Sequence, residues 1–395
     1  MFSALAEARY PYCEALLALS KFKTVPLSFD HIEYFKSKNL PGLEMAYQLV
    51  PPRTENKETI VLLHGLGDYM EKMYPLARKF LDDGYGVLLV DLRGHGYTLK
   101  KTLEVMMEKN LSQFPESFQP EDNVKDITDL ILDKGIKRFH IVGHSHGGGI
   151  AYALAHKFYL MKKDGKLKSP QSPRLLSIHM LAPYVSRIDK FWSDSAFTPE
   201  IMLQETSKQL VKAGADAQSI YSVFDPLFEL FINANRTTQY FTDYFKIGWG
   251  GQKFIDTLTD PALEISLRKN FTQYFRNRLE KYVHRSLTED EKKLVDIEAE
   301  VTLLVTKGNR SLDLLDRTHE IPPVNVDVQV IGARDDQVVP MAQLMDFNMR
   351  LKQAEIRNSL VFLEDPQADH FMNLDNTSEV YSLITREIRS LPKVK

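Results

Sequence analysis

Two kinds of segment alternate along most of the chain. Short, continuous apolar runs recur at Thr59-Ile60-Val61-Leu62-Leu63, Val87-Leu88-Leu89-Val90 and Phe139-His140-Ile141-Val142. They return at 175–182, 326–331 and 360–363. Runs of this length with little polar alternation mark strands buried on both faces. Between them lie segments with apolar residues at helical spacing. Residues 73–81 place Leu76, Ala77 and Phe80 on one face, and residues 122–133 do the same with Val124, Ile127, Leu130 and Ile131. Residues 379–389 read as a closing helix. This alternation predicts an α/β fold: a mainly parallel sheet with helices on both faces. Ahead of it, residues 29–36 and 43–49 flank Pro41-Gly42 and predict a hairpin. Residues 11–20 predict a helix with Cys13, Leu16 and Leu17 on its apolar face.

The alternation stops between about residues 184 and 312. Helical periodicity takes over, with dense aromatic residues such as Tyr221, Phe224, Phe228, Phe231, Tyr240 and Phe241. We expect 184–312 to form a helical cap inserted into a core made of 1–183 and 313–395. The run Val301-Thr302-Leu303-Leu304-Val305 departs from this pattern, since it also fits a strand. Within the cap, Leu267, Phe271, Tyr274, Phe275, Leu279 and Tyr282 share one helical face. Arg268, Lys269, Arg276, Arg278, Lys281 and Arg285 lie around them. The simpler reading packs the apolar face on the core with the charges solvated. The other lays this basic amphipathic helix on an anionic membrane.

Composition narrows the function classes. The 395 residues are 43% hydrophobic and 26% charged, ordinary for a globular chain. A net charge of -3 provides no basic field, so no nucleic-acid partner is expected. The single cysteine, Cys13, excludes an internal disulfide and fits a reducing compartment. Glu7, Arg9 and Glu14 interrupt the first twenty residues, and no apolar run reaches the roughly 18 residues of a membrane span. A cytoplasmic chain is expected, with peripheral membrane contact through the cap left open.

The chemistry gathers where apolar runs end. Gly143-His144-Ser145-His146-Gly147 follows one run and opens a helix of small residues. Gly-x-Ser-x-Gly between a strand and a helix is a nucleophile elbow, which lifts a strained serine above the sheet. Ser145 is the expected nucleophile. His64-Gly65-Leu66-Gly67-Asp68 follows another run, and its glycine-rich turn can aim N–H groups at a developing negative charge. The N–H groups of Leu66 and His146 are the expected oxyanion donors. A serine at neutral pH needs a histidine to take its proton and a carboxylate to orient that histidine. The expected chain order is Ser, then Asp or Glu, then His. Among eleven histidines, His370 in Ala368-Asp369-His370-Phe371 has that order and follows a strand. Asp335 and Asp336 compete for the acid. Asp336 is favoured, because Gln337, Val338 and Val339 then separate it from Pro340, which opens the next helix. His95, in Asp91-Leu92-Arg93-Gly94-His95-Gly96, reads as structural, with Asp91 and Arg93 bracing the floor of the site by pairing. No HExxH, paired cysteine–histidine, GxGxxG or GxxxxGK[ST] pattern occurs, so neither metal nor cofactor is expected.

With these motifs the chain resembles the α/β-hydrolases, and among them the monoacylglycerol lipases and lysophospholipases. The resemblance rests on the glycine turn at 64–68, on 91–96, on Gly143-His144-Ser145-His146-Gly147-Gly148, and on the late aspartate and His370. It covers about residues 28–183 and 324–390. It implies a Ser–Asp–His triad, two oxyanion donors and a lid over an acyl pocket. It also implies a serine hydrolase for carboxylic esters with an apolar acyl chain, its partner a small lipid or ester substrate. Two positions depart from the family pattern: Asp68 stands where members usually carry Glu, and His146 where many carry Met. A peptidase, a carbon–carbon bond hydrolase and a non-catalytic binding module are the alternatives on this fold.

Overall fold

The computed structural model describes residues 32–54, 57–66, 68–99, 118–185, 320–334, 336, 339, 341–366 and 368–391, with scattered positions between 265 and 314. The helix expected at 11–20 and most of the cap expected at 184–312 lie outside the described residues.

Eight strands form one sheet: β1 (Glu33–Lys36), β2 (Glu44–Val50), β3 (Thr59–Leu63), β4 (Gly86–Val90), β5 (Arg138–His144), β6 (Arg174–Leu181), β7 (Asp327–Gly332) and β8 (Asn358–Phe362). Their order across the sheet is β1-β2-β4-β3-β5-β6-β7-β8. The predicted hairpin is present: β1 and β2 pair antiparallel, and Gly42 takes φ 88° in the turn between them. A positive φ there is free of strain only for glycine. Phe35 is the buried residue of β1, while Tyr34 stays 39% exposed, as fits a strand at the sheet's edge. β2 also runs antiparallel to β4, and every other pair is parallel.

Helices cover both faces. They are α1 (Tyr74–Asp82), α2 (Pro120–Asp133), α3 (His146–Lys163), α4 (Met341–Gln353), α5 (Met372–Asp375) and α6 (Thr377–Ser390). Proline occupies the first turn of α1 and of α2, where no intrahelical N–H is lost. On one face, Val61 and Leu63 pack with Ile127 of α2, Tyr152 of α3 and Phe347 of α4. On the other, Ile60 and Leu62 pack with Phe80 of α1 and Ile384 of α6. Successive residues of β3 therefore feed opposite cores, which is why its stretch from Ile60 to Leu63 carries no polar position.

Polar residues inside the apolar runs are matched to one another. His140 on β5 hydrogen-bonds the Ser177 hydroxyl on β6 at 2.7 Å, Ser177 bonds His179 at 2.8 Å, and His179 bonds Gln329 on β7 at 2.7 Å. This chain crosses three strands and offsets the cost of burying those groups.

The loop after β4 differs from the sequence expectation. Arg93 does not brace the site through Asp91. Its guanidinium reaches Asp126 of α2 at 2.7 Å and Ser37 at 3.1 Å, with Asp122 at 3.7 Å. Asp91 instead accepts the backbone N–H groups of Met70 and Tyr97, both at 2.7 Å. The Asp91 carboxylate is taken up by these two N–H groups, and α2 supplies Arg93 with two acids of its own.

In the stretch expected to form the cap, the described positions from 265 to 280 and from 289 to 300 are helical. The run 301–305 is described only at Leu304, which is helical and not extended. Arg268 pairs with Glu300, Arg276 with Asp296 at 2.8 Å, and Arg285 with Glu291 at 2.8 Å. Three of the six basic side chains around the apolar face thus meet carboxylates, which reduces the bare positive charge available to an anionic surface.

Candidate active site

The sheet order reverses at β3: the chain steps from β3 to β4 on one side, then crosses to β5 on the other. Ligands of open α/β sheets bind at such a switch point, outside the carboxyl ends of the strands. The glycine turn leaves β3 at this point, and Ser145 leaves β5 beside it.

Ser145 has φ 50° and ψ -117°. A residue with a side chain held there stores about 1–3 kcal/mol of strain. Its backbone is pinned on both sides, since its N–H donates to the Leu181 carbonyl at 2.8 Å and its carbonyl accepts from Tyr184 at 2.9 Å. The flanking glycines are needed for contact. A Cβ on Gly143 would lie 2.2 Å from the Gly147 carbonyl oxygen, and one on Gly147 would lie 2.5 Å from the His64 carbonyl oxygen. Both obstacles are backbone and cannot swing aside. Gly143→Ala is therefore expected to destabilise the fold by about 3 kcal/mol, the upper range for overpacking, read by denaturant unfolding. A variant as stable as the wild type would show that the turn is not crowded.

The expected oxyanion donors flank the serine. His146 is the first residue of α3, so its N–H belongs to the set that no helical carbonyl can satisfy. Leu66 follows Gly65, whose Cβ position would lie 3.3 Å from the Ser145 Cβ. Among the described residues nothing accepts a hydrogen bond from the N–H of Leu66 or His146. The turn is held by His64: its Nδ1 donates to the Gly65 carbonyl at 2.8 Å, and its Nε2 accepts the Leu92 N–H at 3.0 Å.

His370 and Asp336 meet. The His370 Nδ1 lies 3.0 Å from Asp336 Oδ2, and Asp336 Oδ1 accepts the Val339 N–H at 2.8 Å. Asp335 lies outside the described residues. The His370 loop reaches the elbow through His144, whose Nε2 is 2.7 Å from the His370 carbonyl oxygen.

Five imidazoles crowd this region, and electrostatics separates them. Burial holds His64 well below its ordinary range, lowers His95 to about 4, and lowers His144 and His146 to about 3, with neighbouring imidazoles adding to the effect at His64, His144 and His146. Burial pulls His370 down as well. The charge and hydrogen bond of Asp336, with the charges of Asp68 and Asp369, outweigh it and leave His370 raised above 6.5. Near neutral pH His370 is thus the basic imidazole of the cluster. Chain order sets His64 and His144 aside as bases, and their roles as loop anchors were missed by sequence reasoning. Their placement at strand ends was the available signal. Among the described residues, no three His, Cys, Asp or Glu side chains are arranged to hold a metal ion.

The family described as alpha/beta hydrolase fold matches residues 58–171, which span β3 through α3. The chain has the α/β-hydrolase fold. A structure described as a membrane phospholipase A, a bacterial virulence factor, superposes on this hydrolase fold with a TM-score of 0.53 and 16% identity, covering 100% of this chain and 96% of that one. An epoxide hydrolase from hot-environment metagenomes gives 0.50 and 17%, covering 91% and 98%. By sequence, the chain is 27% identical to a monoacylglycerol lipase of Mycolicibacterium smegmatis over 30% of this chain and 39% of that one. It is 31% identical to a probable lysophospholipase L2 of Haemophilus influenzae over 35% and 44%. The match thus spans less than half the length of either relative. A proline iminopeptidase of Clostridioides difficile is 23% identical over 58% of this chain and 74% of its own.

Proposed function

We propose that the protein is a serine hydrolase for carboxylic esters with an apolar acyl chain, of monoacylglycerol or lysophospholipid type. The 3.0 Å contact between His370 Nδ1 and Asp336 carries this reading. A carboxylate only accepts, so the imidazole proton sits on Nδ1 and the lone pair on Nε2. That lone pair takes the Ser145 proton as Oγ attacks the ester carbonyl. The N–H groups of Leu66 and His146 hold the oxyanion, each worth about 3 kcal/mol if typical of such donors. The imidazolium then gives its proton to the leaving alcohol, and water, activated by the same imidazole, releases the acid from the acyl-enzyme.

Leu66 and Phe371 support an apolar substrate. Each large side chain adjoins a functional group, the oxyanion donor or the base, and stays exposed, at 42% and 39%. No described helix is long and apolar enough to cross a membrane.

The test is fluorophosphonate labelling beside turnover of p-nitrophenyl esters from short to long chain. Labelling that is lost in His370→Ala, with turnover rising with chain length, is expected. A folded wild type that neither labels nor turns over any ester would leave a binding module as the better reading. Faster cleavage of a prolyl anilide than of any ester would favour the peptidase alternative, which the iminopeptidase likeness keeps in view.

The acid limb of the pH profile is a second check. The base must be unprotonated, and its pKa is raised, so kcat/KM should fall as pH drops through a value above 6.5. Asp68→Asn removes an anion that favours the imidazolium, so this limb should move to lower pH. An unmoved or upward-moving limb would remove Asp68 from the site's electrostatics.

A further inference from the structure

The imidazole next to the nucleophile has no part in the mechanism above, yet it touches two of the loops that carry it. His144 is the last residue of β5 and is fully buried. Its ring centre lies 4.8 Å from that of His370. Its Nε2 lies 2.7 Å from the His370 carbonyl oxygen, which can only accept, so Nε2 carries the proton. Its Nδ1 then presents a lone pair. That atom is buried, makes no hydrogen bond, and faces Asp68 Oδ2 at 3.8 Å. The ring fits there because Gly65 lacks a side chain: a Cβ would come within 3.0 Å of Nδ1.

We propose that His144 is a positioning residue that ties the His370 loop to the nucleophile elbow beneath the oxyanion turn. The inference rests on the serine-hydrolase reading for its effect on turnover, but not for its geometry. Its backbone leads directly into Ser145, its Nε2–H fixes the carbonyl of His370, and its ring fills the space that Gly65 leaves. One side chain thereby sets the spacing of the groups that must meet around one carbonyl. Burial keeps it neutral, with a pKa near 3, so it does not compete for the proton that His370 takes. Asp336, Asp68 and Asp369 are the charged groups acting on His370 itself.

The test compares wild type, His144→Phe and His144→Gln. Phenylalanine keeps a ring and loses the donor, whereas glutamine returns an N–H at similar reach. Kinetics on a p-nitrophenyl ester are read beside the His370 imidazole pKa from an NMR titration. His144→Phe is expected to lower kcat about 10- to 100-fold, the scale of an ångström-level misplacement, with KM little changed. The His370 pKa should fall as its hold on Asp336 loosens, and His144→Gln should restore most of both. A folded His144→Phe with wild-type kcat and an unmoved His370 pKa would overturn the proposal. So would a His144→Gln as impaired as the phenylalanine variant. The titration needs no substrate. A wild type inert toward esters whose His370 pKa still falls in His144→Phe and recovers in His144→Gln would sink the ester reading and support this one.

Discussion

Replacing Ser145 with alanine is expected to lower kcat about 10⁶-fold and to abolish fluorophosphonate labelling. In the proposed mechanism the serine oxygen is the atom that bonds to the acyl carbon. The backbone at this position is held at φ 50° by two hydrogen bonds and by the crowded glycines on either side. Those constraints do not involve the hydroxyl, so the variant should fold with the elbow intact. Some acceleration over water should survive, because the oxyanion donors and substrate binding remain. Initial rates on the best p-nitrophenyl ester, with the melting temperature as a control, make the measurement. A variant that folds and retains more than about a thousandth of wild-type turnover would show that Ser145 is not the nucleophile.

Asp336→Asn is expected to lower kcat about 10⁴-fold while the fold persists. The carboxylate has two duties: Oδ1 accepts the Val339 N–H, and Oδ2 faces His370 Nδ1. The amide keeps a single acceptor oxygen, and the Val339 N–H holds it. Its NH₂ group then points at Nδ1 and drives the imidazole proton to Nε2, the nitrogen that must be bare to act as base. Loss of the anion also lowers the basicity of His370, since Asp336 is its strongest charged partner. Asp335→Asn should leave kcat within about twofold, because Asp336 still orients the imidazole. If the two variants showed the reverse order, the acid would have to be Asp335.

Much of the architecture follows from patterns only a few residues long. The buried strands were legible because parallel strands covered on both faces lose their polar alternation, as at 59–63 and 86–90. The elbow was legible because two glycines around a serine, between a strand and a small-residue helix, serve a local steric need. The pairing of Arg93 was misread for the complementary reason. Its acid, Asp126, lies 33 residues away on α2, and proximity in sequence favoured Asp91. The turn at 91–96 commits Asp91 to the backbone of Met70 and Tyr97, so nearness along the chain is a poor guide to ion pairs.

The same division holds at the site. Chain order and local pattern were enough for a sheet of buried strands, a strained serine between a strand and a helix, and a late aspartate and histidine in the order such a sheet requires. Each depends on local sterics, on the period of apolar residues, or on chain order. That Asp336 reaches His370, that His144 holds a carbonyl 226 residues away, and that four neighbouring imidazoles stay neutral while His370 is raised became visible in the folded chain. Those properties depend on where loops from separate strands converge and on how completely water is excluded there. Burial and charge at a point in space are sums over the whole fold, and no short stretch of the chain contains them.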